Sequence, residues 1–264
     1  MNDVNKDTLA QTEARVTQTA QPKHASRAWL SPLVFVAHTR HGAVLLDLVR
    51  NRYLGISHSE TSILQTLVQD WPKTAAHGPS PTQNQVDEDS LLSSLVAEGI
   101  LRTDATEPRT IDSEPVSLNG VLVAIGDEIE RPVSVQMGHV AVVVWALLSR
   151  IIALRFGSIS STAQAIRERR IANQKAGRGV NVAHVIELVC VFRRIRPYLF
   201  AARGHCLLHS LTLIRFLAHY DEFPLLVLGV RVDPWSAHAW VQHENLLLDT
   251  NPEKVCTFNP ILAL

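Results

Sequence analysis

"GHCLLHSLTLIRFLAHY", Gly204 to Tyr220, places one cysteine and two histidines in its first six residues and then turns into an apolar run with helical spacing. The chain-breaking pair Gly204–His205 predicts a helix that begins close to Cys206. A thiol there sits over unpaired backbone N–H groups at the positive end of the helix dipole, which favours thiolate over thiol. The same N–H groups are suited to hold an oxyanion formed when a thiolate attacks a carbonyl. Two plainer readings stand beside this one. A lone cysteine in an apolar helix is most often a small buried hydrophobe. Cys206 and His209, at i and i+3, share a helix face that would suit a metal, although no CxxC pair or second ligand cluster completes a four-ligand site. No metal is therefore expected. His205 and His219 also flank the thiol, whereas Cys190 and Cys256 read as structural.

A nucleophilic cysteine wants an imidazole, and the imidazole wants a group that orients it. "AHAWVQH" and "NLLLDT" lie so close together that they call for a hairpin with a two-residue loop at His243–Glu244 or Glu244–Asn245. Side chains alternate along strands, so with either loop His238 and Asp249 project from one face, opposite or diagonal to each other. Cys206, His238 and Asp249 are thus the expected catalytic set. Trp240 falls on the same face, as a shield for the pair or as core.

The chain has 264 residues, 46% of them apolar, and its 25 Lys and Arg balance 25 Asp and Glu. Neither nucleic acid nor an anionic membrane is suggested as a partner. Three widely spaced cysteines make no disulfide framework, so a reducing, cytoplasmic setting is expected. Residues 1–27 are polar, lack the apolar stretch of a secretory signal, and read as a disordered tail. "HVAVVVWALLSRIIALRF" is interrupted by Ser149, Arg150 and Arg155 and reads as a buried helix, with no membrane span.

From Ser31 to Ile56 three short apolar runs predict a three-stranded meander. Ser57 followed by Glu60 has capping-box spacing and starts a helix. Residues 72–86, rich in proline, argue against a long element. "DEDSLLSSLVAEGIL" predicts a helix with acids in its first turn and Gly99 as its stop. Within residues 104–138, "VLVAIGDEI" fits a strand or a short helix. Helices over about 139–156, 159–173 and 181–195, the loop "RPYLFAARGH", the helix near Cys206 and three strand-like runs give an α+β class.

Together, "GHCLLHSLTLIRFL" and "AHAWVQHENLLLDT" resemble the transglutaminase-like, papain-like cysteine peptidases that process lasso-peptide precursors, the B proteins of that biosynthesis. The resemblance covers about residues 139–264 and rests on Cys206, Leu207, Ser210, His238, Ala239, Trp240 and Val241, with the family's third catalytic residue falling on Asp249. Residues 28–103 are similar to the winged-helix-like recognition element that binds leader peptides in pathways modifying ribosomally made peptides. That resemblance implies a leader strand added beside Arg52, Tyr53, Leu54, Gly55 and Ile56, with the helix about Glu88 to Glu98, bearing Leu92 and Leu95, as the other wall. The element's middle helix is shortened or missing between Pro72 and Asp87. The final helix carries acids and no Lys or Arg, which disfavours nucleic acid.

The implied function is leader removal from a lasso-peptide precursor in antibiotic biosynthesis, beside an asparagine-synthetase-like cyclase as partner. A transglutaminase-like acyl transferase, an inactive peptide-binding protein and a zinc protein are the alternatives. No cofactor is expected: no GxxxxGK[ST] loop supports ATP chemistry.

Overall fold

A computed structural model describes residues 28–72, 87–104, 111, 113–114, 116, 118, 122–125, 133–199 and 205–264. The expected N-terminal tail and the proline-rich segment where a middle helix is in question lie outside the described residues.

The meander forms as expected: Val34–Thr39 (β2), Gly42–Asp47 (β3) and Arg52–Ser57 (β4) make an antiparallel sheet in the order β2-β3-β4. Ser57 then caps His58–Leu67 (α1) with a true capping box, its Oγ accepting from the Glu60 N–H and Glu60 accepting from the Ser57 N–H. Glu88–Ala97 (α2) ends at Gly99, whose φ of +68° is the left-handed value that a stop requires. The Gly99 N–H donates to the Val96 carbonyl and the Ile100 N–H to Leu95, the paired bonds of a Schellman ending. Trp29–Leu30 (β1) pairs with Leu101–Arg102 (β5), closing this part of the chain.

The three-stranded sheet is buried on both faces. Val34, Ala43, Leu45 and Ile56 face α1 and α2 in one core, with Leu64, Leu92, Leu95 and Trp71. Phe35, Ala37, Val44, Leu46 and Leu48 face the other way and join the core of the C-terminal part. This explains why the runs lack the alternation of a half-exposed sheet. The two parts of the chain share one continuous apolar core.

The C-terminal part is built of Met137–Phe156 (α3), Ile159–Lys175 (α4), Val182–Leu199 (α5) and Cys206–Leu217 (α6), followed by Leu225–Arg231 (β7), Ser236–His243 (β8), Leu246–Leu247 (β9), Pro252–Val255 (α7) and Asn259–Ala263 (β10). The sheet order is β10-β7-β8-β9-β6, where β6 is Val123–Ala124, running parallel to β9. "VLVAIGDEI" therefore contributes a short strand. The C-terminal residues, for which no element was expected, are an edge strand beside β7.

Two expectations are corrected. Helix α3 is not buried: Val143 and Ala146 alone are fully covered, while Trp145, Leu148, Ile152 and Phe156 are exposed. A single stripe packs inward, so the uniformly apolar composition marks no burial. By length and composition this one helix, among the described residues, is also apolar enough to cross a membrane. Helix α5 continues through Pro197 to Leu199, past the point where a loop was expected. A proline so near a helix end removes only one late backbone bond.

Candidate active site

Cys206 is the first residue of α6, and its thiol is free and half-buried. His205 at the N-cap gives no side-chain hydrogen bond, so the cap itself does not occupy the first N–H groups of the helix. These N–H groups are the donors a developing oxyanion would need.

Asp249 is drawn toward the same helix. One carboxylate oxygen accepts from the Ser210 hydroxyl at 2.6 Å, and the other accepts from the Val241 N–H of β8 at 2.8 Å. The Ala239 carbonyl lies 3.2 Å from the same hydroxyl, so Ser210 bridges helix, strand and carboxylate. His209 presents Nδ1 to Asp249 at 3.6 Å. Both side chains border a cavity of about 280 Å³ that Arg193, Arg196 and Asn251 also line.

His238 lies elsewhere on β8. Its ring stacks on Trp240 with centroids 6.1 Å apart and meets Phe258 at 5.3 Å. The register of β8 and β9 pairs Gln242 with Leu247, which selects the loop at Glu244–Asn245, and Glu244 there has a φ of +49°. The expected alternation does not carry Asp249 onto the Trp240 face, however. Strand β9 ends at Leu247 and the next three residues bend, so the carboxylate swings to α6 and no hydrogen bond joins it to His238. Trp240 itself is core, fully buried beside Val227, Leu247 and Val255, with its indole N–H given to Gln242.

The imidazole of His238 is nonetheless unusual. Its Nε2 is buried with no hydrogen-bond partner among the described residues. Burial, and after it the charges of Lys254 and His209, lower its pKa from 6.5 to about 4, against the opposing pull of Asp249. Burial therefore keeps the ring neutral near pH 7, with an unpaired nitrogen free to accept a hydrogen bond, and opposes its full protonation. Its titration has a consequence for stability. The unfolded chain takes up a proton here below about pH 6.5 and the folded chain only near pH 4, so stability falls as pH drops through that window. Thermal unfolding at pH 7, 6, 5 and 4 is expected to show this decline, and His238→Gln to make it shallower by about one proton.

The N-terminal sheet comes within electrostatic range of Cys206. Tyr53 of β4 packs against the C-terminal core and meets the exposed Trp235 edge-on at 5.5 Å. Burial, and then the nearby Cys206 side chain, push the Tyr53 phenol up. A groove of about 380 Å³ runs from Trp235 and Tyr53 along Gly55, Ile56 and Ser57.

Of the residues expected to bind a leader, Arg52 is tied to Asp47 and to Glu98 of the α2 end, the latter at 2.9 Å. Leu54 is half-buried and Gly55 is exposed, but Leu92 and Leu95 are committed to the module core, as is Ile56. The neighbouring Leu91 and Val96 on α2 are half-buried. Among the described residues no three His, Cys, Asp or Glu side chains gather closely enough for a metal.

Residues 140–263 match the family model described as Transglutaminase-like superfamily. The C-terminal part of the chain is thus a transglutaminase-like domain, a class typically built for cysteine-based enzyme chemistry. No curated protein and no solved structure matches the chain. The structure adds partners that the spacing did not assign. Ser210 and His209 follow the cysteine of the transglutaminase-like domain by four and three residues, so they lie on its helix face, which was the available signal. No such signal existed for Tyr53, which is 153 residues from the thiol.

Proposed function

We propose that this protein is a cysteine peptidase that binds the leader of a lasso-peptide precursor and releases the core peptide. The observation that carries the proposal is the contact between its two parts. The strand that would dock a leader, β4, bears Tyr53, which packs against the core of the C-terminal part and meets Trp235 beside the groove. Strand β4 pairs with β3 alone among the described residues, leaving one edge for an added strand. The winged-helix-like role of residues 28–103 belongs to this proposal.

In the mechanism, neutral His238 takes the thiol proton as Cys206 attacks the scissile carbonyl. Backbone N–H groups at the start of α6 hold the oxyanion. The imidazolium, favoured by Asp249, protonates the leaving amine, and the neutral ring then activates water against the thioester. One observation favours a second assignment, with His209 as the base: its ring, not that of His238, is the one in contact with Asp249. The freed amino terminus would serve a partner cyclase that closes the ring on an acidic side chain.

The test is incubation with a leader-bearing precursor, reading products by mass. Free core peptide supports hydrolysis, whereas a product that has gained an amine assigns acyl transfer instead. Hydrogen exchange tests the docking surface separately: leader peptide is expected to slow exchange of outward amides in β4 by tenfold or more. Unchanged protection there, with binding demonstrated, would place the leader elsewhere.

A further inference from the structure

Arg150 of α3, Arg169 and Arg170 of α4 and Arg215 of α6 converge on a cavity of about 120 Å³ whose remaining lining includes apolar Leu211 and Ile214. Among the described residues only Arg170 of these has a carboxylate partner, Glu114 at 2.6 Å. Arg215 lies over the Trp145 ring at 4.2 Å, and its Nε is buried with no hydrogen-bond partner. Arg150 donates one long bond, 3.5 Å, to Ser149. Arg169 makes no hydrogen bond or ion pair with the described residues. Burial, followed by the charge of Arg169, holds the guanidinium groups of Arg150 and Arg215 below their ordinary range, so these cations feel one another. Assembling like charges around a void opposes folding unless something offsets it.

We propose that this cavity binds a phosphate-bearing anion. Guanidinium forks match pairs of phosphate oxygens, and three cations without counter-charge among the described residues match a multiply charged anion better than a single carboxylate. The Trp145 face holds one fork in place before any ligand arrives. Arg215 lies nine residues beyond Cys206 on α6, about 14 Å along the axis, so the cavity is separate from the thiol.

The test uses the full chain and inorganic tripolyphosphate, by calorimetric titration at low salt and by thermal shift. One anion per chain is expected. Its affinity should fall at least tenfold in Arg169→Gln and in Arg215→Lys, which keeps the charge but loses the fork, and fall again with added salt. Unchanged iodoacetamide labelling of Cys206 in both variants confirms that the fold is intact. Competition by ATP would assign the phosphate to a nucleotide, competition by phosphatidylglycerol vesicles to a lipid headgroup, and competition by neither to free phosphate. No binding at millimolar anion, or equal binding by wild type and both variants, would overturn the proposal.

Discussion

Cys206→Ala is expected to slow conversion of a leader-bearing precursor by about 10⁴-fold or more, with leader affinity and secondary structure unchanged. The expectation rests on chemistry that only the sulfur supplies. The helix-start donors and the docking strand survive the substitution, but without a nucleophile they have no covalent intermediate to stabilise. Product mass spectrometry over hours measures the loss, and fluorescence anisotropy with labelled leader checks binding. Turnover by the alanine variant at more than a tenth of the wild-type rate would remove Cys206 from the chemistry. Single substitutions then separate the two imidazoles. If His238 is the base, His238→Ala approaches the Cys206→Ala rate, while His209→Phe retains most activity. The reverse order would assign the base to His209, the ring that touches Asp249.

Asp249→Ala is expected to cost stability as well as activity. Among the described residues its carboxylate is the one acceptor for the Val241 N–H and the nearer of two for the Ser210 hydroxyl, and Ser210 is fully buried. The Val241 N–H is left without its partner, which costs roughly 1–3 kcal/mol, while Ser210 still has the Ala239 carbonyl, so a loss of about 1–3 kcal/mol is expected. Chemical denaturation measures it. Asp249→Asn keeps one acceptor oxygen, and about half of the loss is expected to return. Because α6 and β8 meet through this carboxylate, the variant should also loosen the seating of Cys206. A loss below about 0.5 kcal/mol would show that the carboxylate does not hold the two elements together.

Much of the local structure was legible because short-range chemistry decides it. Ser57 with Glu60 and Gly99 after Val96 set helix ends by bonds made within a few residues, and valine-rich runs broken by polar turns set the meander. The start of α6 at Cys206 belongs to the same class. Asp249 shows where such reasoning stops. Period-two alternation holds only while a strand lasts, and β9 lasts two residues before the chain bends toward Ser210. The C-terminal strand escaped notice because its pairing with β7 is long-range and its sequence is short. The exposure of α3 could not be read from composition, since an apolar helix looks the same whether or not anything covers it. The approach of Tyr53 to the thiol depends on how two sheets share a core, which no local pattern encodes.

For a peptide docked on β4 as proposed, that shared core would act as a ruler. With Phe35, Leu46 and Leu48 locked among the residues of the C-terminal part, β4 cannot drift relative to the head of α6. Under the proposed function, the span from the captured segment to the sulfur would then be a fixed length. The bond that reaches the sulfur would be selected by counting residues outward from the captured segment, leaving the side chains at the cut free to vary.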